Sequence, residues 1–255
     1  DYEKKKDLLT RALEIDEKHY GKDHPSTGAI LGDLGNAWGS LGDYEKQKDL
    51  LTRVLEIDEK HYGKDHPRTG ITLNNLGNAW GSLGDYVKQK DLLTRALEIF
   101  EKHYSKDHPQ IGVSLASLGH AWGGLGDYEK KKDLLTQALE IFEKHYGKDH
   151  PETALMLGNF GIVLGSIGDY KKKKDLLTQA LEITEKYYGK NHPYTCMVLT
   201  NLGNAWGDLG DYEKKKDILT QALEIFEKHF GKDHPDTGAT LANLGNAWGA
   251  LGNYK

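Results

Sequence analysis

Gly42-Asp43-Tyr44 is the stretch on which the reading of this chain turns. Its tyrosine returns at a constant spacing of 42 residues, as Tyr2, Tyr44, Tyr86, Tyr128, Tyr170, Tyr212 and Tyr254. Between two such tyrosines the chain repeats a charged amphipathic segment, a loop of the type Gly63-Lys64-Asp65-His66-Pro67, and a glycine-rich segment that holds a single Trp in all copies but one. A fixed period of roughly 20–50 residues marks an array of supersecondary units, each of which buries its apolar face only against its neighbours. The units are expected at 1–42, 43–84, 85–126, 127–168, 169–210 and 211–252, with 253–255 opening a seventh. Function is then a property of the surface of an array and not of a single catalytic constellation.

One unit shows why each half is a helix. From Tyr44 the apolar residues Leu50, Leu51, Val54, Leu55 and Ile57 fall three and four apart, on one helical face, and lysines, acids and Gln47 cover the other. Gly63 suits the end of that helix, and Pro67 suits the first position of the next. The second helix carries Leu73, Leu76, Ala79, Trp80 and Leu83 at the same spacing, together with Gly70, Gly77 and Gly81. Each interior glycine costs about 0.5–1 kcal/mol of helix stability, so this helix must be held by neighbours that the glycines allow to approach. The period predicts twelve helices and no strands, at 2–20, 25–41, 44–62, 67–83, 86–104, 109–125, 128–146, 151–167, 170–188, 193–209, 212–230 and 235–251. The five Trp are expected to be largely buried between them.

Composition narrows the partners. A net charge of −5 and a pI near 6.2 leave no electrostatic footprint for nucleic acid or an anionic membrane. No apolar run reaches membrane-spanning length. Cys196 is the single cysteine, so no disulfide framework forms within the chain. A reducing, cytoplasmic setting is the expectation. The chain opens at Asp1 with neither an initiator Met nor a signal segment, and reads as a piece of something longer.

Leu76-Gly77, Trp80, Gly84-Asp85-Tyr86 and Ala96 together resemble the tetratricopeptide repeat. The 42-residue period, the His-Pro-x-Thr start and the Arg-Ala-Leu-Glu-Ile run are similar to the kinesin-light-chain type of that family. The resemblance covers the whole chain. It implies an all-α, right-handed superhelical solenoid of antiparallel helix pairs, whose glycine-rich helices line a concave groove that binds peptides or proteins. One position departs from the family. Where it has a small Ala three residues after the tyrosine, this chain has Lys5, Gln47, Gln89, Lys131, Lys173 and Lys215. Their stems must cross a helix contact, and Gly39, Gly81, Gly123, Gly165, Gly207 and Gly249 are placed to make room.

Variation among copies gathers in the first half of the glycine-rich helix. By the resemblance, Ala29, Ile71, Val113, Leu155, Met197 and Ala239 line the groove, unless they are stacking contacts. Asn75, Asn159, Asn201 and Asn243 share one register; Asn36, Asn78, Asn204 and Asn246 share another, three residues on. Carboxamides offer donor and acceptor, so such ladders either pair with the backbone of an extended peptide or bond between neighbouring repeats. No Lys or Arg stands at Gly32, Asn74, Ala116, Gly158, Thr200 or Ala242, so a clamp for a terminal carboxylate is not expected. In the fourth unit Phe160, Ile162, Val163 and Leu164 replace the usual Leu, Asn, Ala and Trp. This is either a repacked core or, for Ile162 with His120, Leu155 and Met197, an apolar spot in the groove.

Eleven of the twelve histidines belong to the loops, as His61 and His66 do. A closed zinc site asks for four convergent ligands, and these pairs recur in nearly every unit, so capping and loop packing are the expected roles. No nucleophile stands in a triad arrangement and no phosphate-binding spacing occurs. No enzymatic activity, metal or cofactor is expected. Two functions remain: a scaffold for a protein or peptide partner, and a structural protein whose copies stack head to tail into a filament. For the second, Leu8, Leu9, Ala12, Leu13 and Ile15 are open at one end, and Leu241, Leu244, Ala247, Trp248 and Leu251 at the other. Unlike ends that fit propagate into an open assembly. In it Tyr2 and Tyr254 would compete for one place.

Overall fold

A computed structural model describes residues 2–252. Among them are twelve α-helices and no strand. The charged helices are α1 (Tyr2–Tyr20), α3 (Tyr44–His61), α5 (Tyr86–His103), α7 (Tyr128–Tyr146), α9 (Tyr170–Tyr188) and α11 (Tyr212–Phe230). The glycine-rich helices are α2 (Pro25–Ser40), α4 (Pro67–Ser82), α6 (Pro109–Gly124), α8 (Pro151–Ser166), α10 (Pro193–Asp208) and α12 (Pro235–Ala250). Each lies within one residue of its expected span. Residues 253–255, the expected start of a seventh unit, lie outside the described residues.

The quoted tripeptide works through local chemistry. Gly42 takes φ +84°, open to a residue without a Cβ. Its N–H reaches the carbonyl of Gly39 at 3.0 Å, and the Asp43 N–H reaches that of Trp38 at 3.0 Å. This is the six-to-one and five-to-two closure that satisfies the last carbonyls of a helix. Asp43 then caps α3 by accepting the Lys46 N–H at 3.1 Å, and Tyr44 is the first helical residue. The other loop opens each glycine-rich helix on His-Pro. The N-cap is His and not the neighbouring Asp, with Pro at the first helical position.

One loop breaks the pattern. Elsewhere a glycine of positive φ ends the charged helix, and a Thr hydroxyl donates to its carbonyl, as Thr69 does to Gly63 at 2.8 Å. The third loop has Ser105 and Ile111 at these places. No non-glycine residue in the described chain takes positive φ. Tyr104 accordingly turns extended, at φ −120° and ψ 160°, and the chain leaves α5 by another path.

The helices pack in chain order within two compact units that meet inside α7, at the Ala138–Leu139 bond. In the first, each of α1 to α6 packs on its sequence neighbours, and α4 also touches α6. In the second the same holds from α8 to α12, with α8 on α10 and α10 on α12. Loops of a few residues reverse the chain between them, so each unit is a solenoid of antiparallel helix pairs. A glycine-rich helix is held between two charged ones: Leu51 of α3 and Leu76 and Ala79 of α4 form a cluster that Leu92 of α5 closes. In the second unit Leu177, Leu202 and Ala205 do the same with Ile218. Glycines set the distance. A Cβ on Gly77 would stand 3.0 Å from Leu93 Cγ, and one on Gly203 3.1 Å from Leu219 Cγ.

The long residues at the family's Ala position use the room foreseen for them. A Cβ on Gly81 would lie 2.4 Å from the Gln89 carboxamide, and one on Gly123 or Gly207 2.5 Å from the Cδ of Lys131 or Lys215. Lys173 passes over Gly165 in the same way and donates to Asp208 at 2.7 Å.

Trp38, Trp80, Trp122 and Trp206 are largely covered, and Trp80 and Trp206 pack against the Leu51 and Leu177 clusters; only Trp248 departs from the expectation, at 43% exposed. Each ring lies at an edge where lysines cross it. The Lys46 and Lys6 ammonium groups stand 3.8 and 5.1 Å from the centre of Trp38, Lys88 and Lys48 3.8 and 5.3 Å from that of Trp80, and Lys214 and Lys174 4.0 and 5.3 Å from that of Trp206. The indole face attracts cations, and the lysine stems do the covering that a buried neighbour would otherwise do. In the fourth unit Leu164 replaces Trp and is buried with Phe160 and Val163, so there the core is repacked.

Candidate functional site

Positions spaced by four and then three residues stand on one side of a helix. On each glycine-rich helix one such row avoids burial. On α4 it is Ile71, Asn75 and Asn78; on α2, Ala29, Asp33 and Asn36; on α6, Val113, Ser117 and His120. The second unit carries Leu155, Asn159 and Ile162 on α8, Met197, Asn201 and Asn204 on α10, and Ala239, Asn243 and Asn246 on α12. On the helices flanked by two charged ones the opposite side is fully used: Leu73 and Leu76 of α4 and Leu199 and Leu202 of α10 are buried.

Several large apolar side chains remain open in these rows. Ile71 is 40% exposed, Leu155 39%, Ile162 48% and Met197 50%, while Val113 is half-buried. Among the described residues the eight asparagine side chains of the two registers make no hydrogen bond, so they do not bond between repeats. Asn36, Asn159 and Asn246 are exposed and the other five half-buried. The amide that does bond across repeats is Asn74, one position earlier, which accepts the Ser114 hydroxyl at 3.3 Å in the interior between α4 and α6. Sequence reasoning assigned that position only to a clamp it lacks. Asn74 borders the row on the flank of α4 that faces α6, where it is 4% exposed.

His120 stands in the first unit, exposed, with its ring 6.0 Å from Tyr86. Burial of its inner edge, and the Lys131 ammonium beside it, hold its pKa below the ordinary 6.5. The Lys131 amine is itself pushed down by burial. Of the apolar spot expected in the fourth unit, Leu155, Ile162 and Met197 lie on the neighbouring helices α8 and α10 of the second unit.

The two end helices present a second surface. Leu9, Ala12 and Ile15 of α1 correspond to Leu51, Val54 and Ile57 of α3, which are at most 4% exposed. In α1 no residue is buried, and Leu8 and Ile15 are each 65% exposed. Leu13 of the same face is half-buried and partly spent on the Leu31 cluster. On α12, Leu241 is 46% exposed where its counterparts Leu31, Leu73, Leu157 and Leu199 are at most 4%. Leu244 and Leu251 are half-buried and Trp248 is 43% exposed, while Ala247 is buried. Tyr254, expected to compete with Tyr2, lies outside the described residues.

Among the described residues no three metal-ligating side chains converge. The Cys196 thiol donates to the Ala222 carbonyl, and burial pushes its pKa up to about 12, so it is no nucleophile. No helix is long and apolar enough to cross a membrane.

A family model described as tetratricopeptide repeat matches residues 40–102, 123–172 and 174–228, and a second of the same description matches 153–194. A search of curated protein sequences gave no match. Among solved structures, a putative kinesin light chain with nearly identical TPR-like repeats from Podosopora anserina superposes with a TM-score of 0.67 at 23% identity, over 81% of this chain and 98% of that one. BtubC (BKLC) from P. vanneervenii gives 0.74 at 19% identity, over 92% and 94%. The apo form of RapI gives 0.63 at 15%, over 95% and 90%. At these identities the likeness is one of fold.

Proposed function

The chain belongs to the tetratricopeptide repeat family, whose members mediate protein–protein interaction, and from that premise we propose that it is a scaffold whose glycine-rich helices hold an extended segment of a partner protein. The reading rests on the unspent row of side chains. Free carboxamides at Asn78 and Asn204 can pair with peptide N–H and C=O groups irrespective of sequence; each unit adds apolar seats on its own rows, Ile71 in the first and Leu155, Ile162 and Met197 in the second. No catalytic role is proposed. A peptide array identifies a ligand, and Asn78→Ala with Asn204→Ala then weakens its binding severalfold while the melting temperature stays within a degree or two of the parent. Met197→Glu does likewise, by placing a charge on the apolar seat. Loss of helicity in these variants would make the row structural and end the proposal.

A second reading is favoured by the end faces. The α1 and α12 surfaces expose the residues that interior copies bury, so each fits a further unit of the same repeat, whether supplied by a longer polypeptide or by another copy. In the latter case the 255-residue chain assembles head to tail into open filaments. Light scattering and electron microscopy at raised concentration detect the assembly, and Leu9→Lys with Trp248→Lys abolishes it. A parent chain that stays monomeric throughout overturns this reading.

A further inference from the structure

All six glycine-rich helices begin on a histidine that acts as N-cap: His24, His66, His108, His150, His192 and His234. In each, Nδ1 accepts the backbone N–H two residues on, at 3.1 to 3.2 Å. Each ring also lies stacked on the aromatic ring four residues before it, from Tyr104 on His108 at 3.8 Å to Tyr62 on His66 at 5.1 Å, with Phe230 in that place for His234. Helix N-caps are ordinarily Ser, Thr, Asp or Asn, whose oxygen accepts at any pH above the carboxylate range. An imidazole accepts only while Nδ1 is bare; the imidazolium is a donor at both nitrogens.

From this repeated geometry we propose that the array is an acid-sensitive scaffold, in which protonation of the capping imidazoles loosens the starts of the glycine-rich helices, least at α12, where Asp236 stands beside His234. Protonation removes the acceptor, sets an N–H against an N–H, and brings a positive charge to the positive end of a helix. Those helices are the ones richest in glycine and least able to stand without their caps. The same helices carry the row of free asparagines, so acid loosens that surface without any change in its side chains.

The surroundings of each ring modulate the effect. Beside His24, Lys60 and His61 of α3 are held on Asp23, through its carboxylate and its carbonyl. Beside His66, Lys102 and His103 of α5 hold Asp65, and Arg68 stands at the second helical position, paired with Asp58. Asp107 adjoins His108. His150 has Glu152 and the Asp149–Lys186 pair close by and the Tyr187 ring at 6.3 Å. His192 sits between Tyr188 and the Tyr194 backbone. At His234 the Asp236 carboxylate is 3.7 Å from Nδ1, and protonation exchanges the lost bond for an ion pair. The stacked rings also attract a cation.

The test is the melting temperature of the full chain at about pH 7.5 and pH 5.5, a window that brackets imidazole titration and stays above the carboxylates. The parent is expected to lose on the order of 10 °C, six caps acting in one array. A variant with His→Asn at all six positions keeps an acceptor at both values and is expected to lose almost nothing. His66→Asn alone, which is safe if the sixfold variant does not fold, removes a measurable share of the fall. His19→Gln with His61→Gln, His103→Gln, His145→Gln and His229→Gln should leave the fall in place. A parent that melts at one temperature across the window overturns the proposal, as does an undiminished fall in His66→Asn or in the sixfold variant.

Discussion

Gln89 occupies a place built for a methyl group. It is 2% exposed, its Oε1 has no hydrogen-bond partner, and its carboxamide fills the space where a Cβ on Gly81 would be. The pair is one solution to a packing problem, in which a long residue on the charged helix demands a glycine on its neighbour. Gly81→Ala by itself is therefore expected to destabilise by about 1–3 kcal/mol, because the buried carboxamide must be displaced. Gly81→Ala with Gln89→Ala is expected to recover this and more, since Ala at 81 strengthens the helix by about 0.5–1 kcal/mol and the unsatisfied oxygen is gone. Denaturant melts of the three variants decide it. A double variant no better than Gly81→Ala would mean that the glycine serves something other than Gln89. Asp58 gives the contrasting case of a buried polar residue that is paid for: it is closed to solvent and bonded to Arg68 at 2.9 Å and Thr72 at 2.7 Å.

At the scale of the element, two cap chemistries alternate along the chain. The charged helices from α3 onward use Asp. A bond from the Lys46 ammonium and one from the Lys46 backbone hold the Asp43 carboxyl below its ordinary 3.8, and the backbone N–H groups of Lys88 and Lys214 do the same for Asp85 and Asp211. A carboxyl lowered in the folded state contributes stability that is present above its unfolded value and lost as pH falls through the folded one. These caps are thus expected to hold down to about pH 4 and to fail below it, as a second acid transition separate from that of the histidine caps. Asp43→Asn, Asp85→Asn and Asp211→Asn keep the cap and should flatten the melting temperature between about pH 4 and pH 2.5 relative to the parent. An unchanged slope in the triple variant would place the acid sensitivity elsewhere.

At the scale of the molecule, stability in a stacked array is approximately a sum over repeats and their nearest-neighbour contacts. Every interior copy buries its Leu-Gly helix between two charged helices, and the end copies leave half of that contact unmade. The open residues, Leu8 and Ile15 on α1 and Leu241 and Trp248 on α12, are apolar. If copies join through them, added salt should leave the association intact or strengthen it, whereas a charge-driven contact would be screened. A sedimentation series from about 0.05 to 0.5 M salt separates the two, and dissociation on adding salt would rule out the apolar contact.

The amino-acid sequence by itself determined the period, the twelve helices to within a residue of their ends, and the role of the interior glycines as room for long neighbours. These depend on near neighbours along the chain or on comparison of like positions: a Gly at positive φ, an Asp three residues before the N–H it caps, a Leu spacing that has one buried side. Ser105 illustrates the same logic, since its place in the Gly series is legible at once and the altered exit of α5 follows from it. Only the tertiary structure decided that lysines cross the tryptophan rings, that Asn74 bonds across repeats while Asn75 and Asn78 stay free, that Asp58 finds Arg68 and Thr72, and that Lys173 reaches Asp208. These are matters of how one helix is rotated against another. A rotation of a fraction of a turn leaves the hydrophobic pattern and the period unchanged, yet it decides whether a side chain 30 or 40 residues away is a partner or is out of reach.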